Sequence, residues 1–139
     1  MKKVLALAAV FALAACASMP DWMPGSGAMQ VNLTGAQEVP PANSQGTGTG
    51  SFRVASDGAI SGSVTTTGVQ GTMAHIHQAA KGQNGPVIVP LTKNGDTYTV
   101  PQGRKLTPAQ MEALKQGNLY VNVHSDRYKG GEVRAQLQP

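Results

Sequence analysis

Ser51-Phe52-Arg53-Val54-Ala55-Ser56-Asp57-Gly58-Ala59-Ile60-Ser61-Gly62-Ser63-Val64 is the stretch that decides the fold. Phe52 and Val54 alternate with Ser51 and Arg53, the period of a half-buried strand. Ser56-Asp57-Gly58 reads as a hairpin turn, and Ile60, Gly62 and Val64 resume the alternation on a return strand. The same grammar extends outward in both directions. Val31 and Leu33 alternate with Asn32 and Thr34, and Thr72 to Gln78 alternates again. Pro86 to Leu91 is a compact apolar strand, and Asn94-Gly95 is a second hairpin signal that Tyr98 to Val100 follows. Leu119 to Ser125 and Glu132 to Leu137, joined through Gly130-Gly131, are the last two strands. Between the first two strands, Gly35 to Ser44 holds Pro40-Pro41 and must be extended or turning.

Composition agrees. All 17 glycines fall after residue 24, and high Gly with many Thr and Val and only two Phe favours short strands and tight turns. One helix interrupts the pattern. Thr107 can cap it, Pro108 suits its first position, Gln110 completes a capping box, and Leu106 and Met111 occupy the staple positions. Gly117 suits the stop, so a short helix is predicted near 108–116 with Met111 and Leu114 on its buried side. The expected fold is all-β, a Greek-key-like sandwich or barrel of seven or eight short strands plus this helix. Its core is predicted to hold Val31, Leu33, Phe52, Val54, Ile60, Val64, Ile76, Val121, Val123, Val133 and Leu137.

The N-terminus has a different character. Lys2 and Lys3 precede a continuous apolar run from Val4 to Ala12, the length of a signal h-region and too short to span a bilayer. Leu13-Ala14-Ala15-Cys16 resembles the lipobox of bacterial lipoproteins. That resemblance implies cleavage before Cys16 and acylation of its sulfur and new N-terminus; an ordinary secretory signal cut near Ala-Cys-Ala is the alternative. Residues 1–15 are thus expected to be a lipoprotein signal peptide, 16–29 a lipidated flexible tether rich in Pro, Gly and Ser, and 30–139 the folded domain. The expected location is extracytoplasmic and lipid-anchored; Ala17 after the cysteine implies the outer membrane, facing the periplasm, in a Gram-negative host. Cys16 is the one cysteine, so no internal disulfide can form. The formal net charge of +4 falls by two without Lys2 and Lys3, and the remaining charges are scattered, which argues against a nucleic-acid partner. No protein partner is legible.

Chemistry is concentrated in three histidines. In the strand His75-Ile76-His77 the two imidazoles share one face while Ile76 takes the other, so Ala74 and Ile76 face the core and Met73, His75 and His77 face away. In Leu119 to His124 the apolar stripe is Leu119, Val121 and Val123, which turns His124 outward beside Asn122 and Tyr120. If the two strands are neighbours, His75, His77 and His124 can bind one transition-metal ion. Three imidazoles suit copper, zinc, iron or nickel, and a thioether from Met73 would favour copper over zinc. Asn122, Tyr120 or a backbone carbonyl is expected to hold the second ring nitrogen of a ligand. Binding requires neutral imidazoles and is expected to weaken as pH falls through about 6.5. The plain alternative is a pair of exposed imidazoles on a surface strand. The Gly-rich segment from Ala79 to Pro86 either folds over this site or is an ordinary surface loop.

Glu132, Arg134 and Gln136 are expected to point outward from the last strand, with Arg134 paired to Glu38 as a structural ion pair. No catalytic residue is assigned. The chain has no nucleophile elbow, no phosphate-binding glycine loop and no acid/base pair close in sequence; a binding protein is the preferred reading and an enzyme stays open.

Five segments together resemble the CHRD family, named for the domain repeated in chordin. They are Leu33-Thr34-Gly35-Ala36-Gln37-Glu38-Val39-Pro40-Pro41, Ala74-His75-Ile76-His77, Asn84-Gly85-Pro86-Val87-Ile88-Val89, Leu119-Tyr120-Val121-Asn122-Val123-His124 and Gly130-Gly131-Glu132-Val133-Arg134-Ala135-Gln136-Leu137. The resemblance implies an extracytoplasmic β-sandwich or barrel and leaves activity open; Met73 lies outside its pattern. The histidines are also similar in arrangement to the copper ligands of copper–zinc superoxide dismutase, with His75, His77 and His124 in those places. The zinc ligands, the disulfide and the bridging fourth histidine of that enzyme have no counterparts here. Three functions follow: a metal-binding protein, probed by metal titration; a dismutase-type redox enzyme, which needs an open coordination position; and a structural or partner-binding module, which needs an exposed apolar patch.

Overall fold

The computed structural model describes residues 27–139. The expected signal peptide at 1–15, Cys16 as the expected lipidation site and nearly all of the expected tether lie outside the described residues. The described chain runs β1 (Met29–Thr34), β2 (Thr47–Val54), β3 (Ile60–Thr67), β4 (Gly71–Gln78), β5 (Val87–Pro90), β6 (Thr92–Asn94), β7 (Thr97–Thr99), α1 (Pro108–Lys115), β8 (Leu119–Ser125) and β9 (Val133–Leu137). A single 3-10 turn, Gly35–Gln37, follows β1, and the Val39–Pro40 bond beyond it is cis. Among the described residues no helix is long and apolar enough to cross a membrane.

All strand pairs are antiparallel, and their order is β5-β4-β8-β9-β1-β2-β3-β7-β6. The ends of this order, β5 and β6, are consecutive in the chain with only Leu91 between them. One residue cannot span an open nine-stranded sheet, because strands lie about 4.8 Å apart. The sheet therefore curls until its two ends nearly meet, and Leu91 N–H, donating to Ala74 O at 3.0 Å, carries the β4–β5 ladder up to that seam. The result is a nearly closed barrel, one strand richer than the seven or eight expected. The extra strand is β6, Thr-Lys-Asn, exposed throughout and without an apolar residue to announce it.

All eleven residues predicted for the core are buried, each at most 4 % exposed. Around them pack Tyr98, Val89, Leu119 and Ala135, and α1 closes one end with Ala113 and Leu114. The helix matches its sequence signals. Thr107 Oγ1 accepts from Gln110 N–H while the Gln110 side chain accepts from Thr107 N–H, and Gly117 follows with φ +71°. Met111 is half-buried rather than fully covered.

Candidate metal centre

β4 and β8 are direct neighbours, and their register decides the site. Met73 lies opposite His124, His75 opposite Asn122 and His77 opposite Tyr120. Residues directly opposite in an antiparallel pair share a face, so the three histidines stand together on the outer side of the barrel. His75 Nδ1 lies 3.0 Å from His124 Nε2, and one nitrogen from each of the three rings falls within 4.8 Å of the others. For bonds of about 2.0–2.1 Å in a tetrahedral site, ligand nitrogens stand about 3.4 Å apart. Ring rotations on the order of 1 Å bring the cluster to that spacing.

Backbone carbonyls fix two of the tautomers. His77 Nδ1 is 3.0 Å from Gly85 O, and His124 Nδ1 is 2.9 Å from Lys129 O. A carbonyl only accepts, so each Nδ1 carries the hydrogen and each Nε2 presents a lone pair. This is the arrangement expected of a metal-ligating histidine, and backbone carbonyls fill the role for which Asn122 and Tyr120 were the other candidates. The shared hydrogen between His75 and His124 must then come from His75 Nδ1. His77 Nε2 is buried with no hydrogen-bond partner.

The site is less wet than its outward orientation implied. His77 is 7 % and His124 8 % exposed, and His75 is the half-buried member that opens toward solvent. Burial lowers all three histidines. His75 falls to about 4, through desolvation first and the neighbouring His124 and His77 next. His77 and His124 move the same way, desolvation again dominating over the Gly85 and Lys129 hydrogen bonds that oppose it. Charging of the rings is thus displaced below the ordinary histidine value near 6.5, because the cluster is desolvated.

Two loops provide the cover. The Ala79–Pro86 segment folds over the site: His77 reaches Gly85 O, and Gly85 N–H donates to Tyr120 Oη at 3.2 Å. The loop after β1 is tied down by Ser44 Oγ on Glu132 Oε1 at 2.7 Å and by Tyr128 Oη on Asn43 O at 2.8 Å. Asn84 Nδ2 donates to Val39 O at 2.7 Å and joins the two loops. Met73, opposite His124, is 49 % exposed at the margin of this cover.

The Glu38–Arg134 ion pair is corrected. Among the described residues the contact ion pairs are Lys105–Asp57 and Lys115–Glu112, both on the exposed surface. Arg134 is buried and spends its donors on the covering loop, with Nη2 on Gln83 O at 2.8 Å and Nη1 on Asn84 Oδ1 at 3.3 Å. Glu38 is buried beside Asn122 and Gly131 with Oε1 unpartnered, and burial raises its carboxyl pKa, against which Asn122 and the more distant charge of Arg134 act. The two residues feel one another without touching. Glu132 and Arg134, expected to face solvent, are 7 % and 1 % exposed for the same reason as the histidines: loops lie on top of them.

Sequence reasoning missed the roles of Gly85, Asn84 and Tyr120 in building this cover. Tyr120 is stacked on His77 with ring centroids 4.7 Å apart and planes 2° from parallel, and the Arg134 guanidinium lies 3.4 Å from the Tyr120 centroid. A polar-looking aromatic between two outward residues was the available signal. No curated protein and no solved structure matches the chain. The family model for the CHRD domain matches residues 29–137, from the first residue of β1 to the last of β9. Fold, segment order and this match agree, and the chain belongs to the CHRD domain family.

Proposed function

We propose that this CHRD protein binds one transition-metal ion, copper before zinc, through His75 Nδ1, His77 Nε2 and His124 Nε2. One observation carries the reading: three imidazoles from two paired strands place ligand nitrogens within 4.8 Å of one another, with two of their tautomers set by backbone carbonyls. An all-imidazole donor set suits copper and zinc alike. The preference for copper rests on Met73, whose exposed thioether stands across from His124 at the margin of the cluster. The module alternative loses support. Among the described residues the exposed large apolar side chains are Met73 and Val87, which sit about 13 Å apart along β4 and its partner rather than in one patch. The lipobox at Cys16 supports a lipid anchor outside the cytoplasm.

Calorimetric titration of Cu(II) and Zn(II) into the full chain and into His124→Ala tests the site. We expect one ion per chain and at least about 100-fold weaker binding in the variant, the upper range seen when even an outer-shell partner is removed. Micromolar binding that is indifferent to His124→Ala overturns the reading. For the anchor, Cys16→Ser should move the protein from the membrane to the soluble fraction, and a variant that stays with the membrane refutes lipidation there.

A further inference from the structure

We infer that Arg134 is the positioning residue of the histidine cluster, clamping the Ala79–Pro86 loop and, through Tyr120, fixing the ring of His77. Arg134 touches none of the three histidines. It acts through two carriers that meet at His77. The first is the loop: the guanidinium binds Gln83 O and the Asn84 side chain, and the next residue, Gly85, is gripped at both ends. Its N–H donates to Tyr120 Oη and its carbonyl accepts from His77 Nδ1. Gly85 sits so close to the Gln78 carbonyl that a side chain there would collide with it, so the loop is pressed against the end of β4. The second carrier is the stack. β8 lies between β4 and β9, and Tyr120 on β8 holds the Arg134 guanidinium against one face and the His77 imidazole against the other.

Arginine is the one side chain that can do both. Its planar fork donates to several acceptors while its flat face lies on an aromatic ring; lysine offers a point charge and no face. Arg134 is 1 % exposed, so this arrangement is part of the packed structure and not a surface contact. What the clamp decides is which nitrogen His77 offers. With Gly85 O held in place, the hydrogen stays on Nδ1 and the lone pair on Nε2 faces the cluster. Without it, the ring is free to turn and to exchange tautomers.

The affinity arm rests on the metal-binding reading, and the metal-free arm does not. In ¹⁵N-labelled full chain without metal, NMR should show His77 as the Nδ1–H tautomer with a slowly exchanging ring hydrogen. In Arg134→Lys that hydrogen should exchange at least tenfold faster, with mixed tautomers. Titrated with Cu(II), Arg134→Lys should bind roughly 10- to 100-fold more weakly than wild type, the range for loss of an outer-shell partner. If Arg134→Lys does not fold, Asn84→Ala, which removes one acceptor of the clamp, carries the test with a smaller change of the same sign. Unchanged tautomer and exchange in the folded variants overturn the proposal. A wild-type protein that protects the His77 hydrogen but takes up no copper sustains the clamp and overturns the metal reading. Copper binding and His77 hydrogen exchange both left unaltered by Arg134→Lys overturn the clamp and sustain the metal reading.

Discussion

β3 and β8 are written in the same alternating code and end in different environments. In β3 the inward Ile60, Val64 and Thr66 are buried, while Ser61, Thr65 and Thr67 between them are exposed. In β8 all seven residues are buried. The outer side of β3 meets solvent, where Thr65 and Thr97 share a hydroxyl hydrogen bond at 2.9 Å. The outer side of β8 meets two loops. Alternation reports which side of a sheet a residue takes; whether that side is wet depends on what the rest of the chain lays over it. A covered face made of His, Asn, Arg and Glu is costly to maintain, since each buried polar atom needs a partner. Three of the four buried side-chain atoms without a partner among the described residues, on Glu38, His77 and Asn122, lie on this wall; the fourth is Tyr98 Oη.

The sharpest way to break that comparison is a matched pair of truncations. Arg134→Ala strips the Gln83 and Asn84 acceptors of their buried donor and opens the Tyr120 stack; it should cost about 3–4 kcal/mol in urea unfolding. Thr65→Ala, its counterpart on the open wall, should cost about 0.5 kcal/mol or less. Equal losses would show that the two outer faces are energetically alike.

Glycines sharpen it next. Gly131 has φ +133°, and an added Cβ would run into Glu38 Oε1 and the Asn122 amide. Gly131→Ala should therefore cost about 2–3 kcal/mol, combining a backbone conformation restricted to glycine with a polar clash. Gly95, in the β6–β7 hairpin at φ +60°, has nothing within 4 Å of its would-be Cβ. Gly95→Ala should cost only about 1 kcal/mol, the left-handed backbone penalty alone. Thermal unfolding of both variants measures the difference.

The covered wall should also carry most of the pH dependence. Unfolded, His75 takes up a proton near 6.5; folded, it resists until about 4. Between those values the unfolded chain binds more protons, so stability is lost as pH falls through that window and levels off below about 4. For metal-free protein we expect a loss of about 1–2 kcal/mol from His75, discounted for its partial solvent access. His77 and His124 add to it with the same sign. Glu38 opposes, because its raised carboxyl holds a proton that the unfolded chain releases above about 4.5. Glu38→Gln should steepen the decline, and stability curves flat from pH 7 to 4 would refute the assignment.

What could be read from the sequence follows the range of the forces involved. The eleven core positions and the capped helix were legible because strand period and capping chemistry are local. The three histidines were legible as a shared face, since alternation places 75, 77 and 124 on the outside once β4 and β8 pair. β6 was not, because three exposed polar residues carry no period. Nor was the destination of Arg134. Its partners at 80–84 are mostly backbone carbonyls, which residue type does not announce, whereas the Glu38 carboxylate is a cation partner by residue type alone. The loop over the site is gripped mostly through its own backbone groups, which leave no trace in its residue types.

The hydrogen that His75 shares with His124 has a thermodynamic consequence. All three rings are neutral when the metal-free site is at rest above the mildly acidic range, and two already hold their hydrogens on the nitrogen away from the cluster. Under the proposed ligation, the arriving ion has only to send the His75 hydrogen from Nδ1 to Nε2 of the same ring. The rings expel no proton to solvent, so the heat of uptake should be the same in buffers of widely different ionisation enthalpy. Under that ligation, occupancy would be indifferent to the acidity around the cluster at every pH above the range in which its rings take up protons.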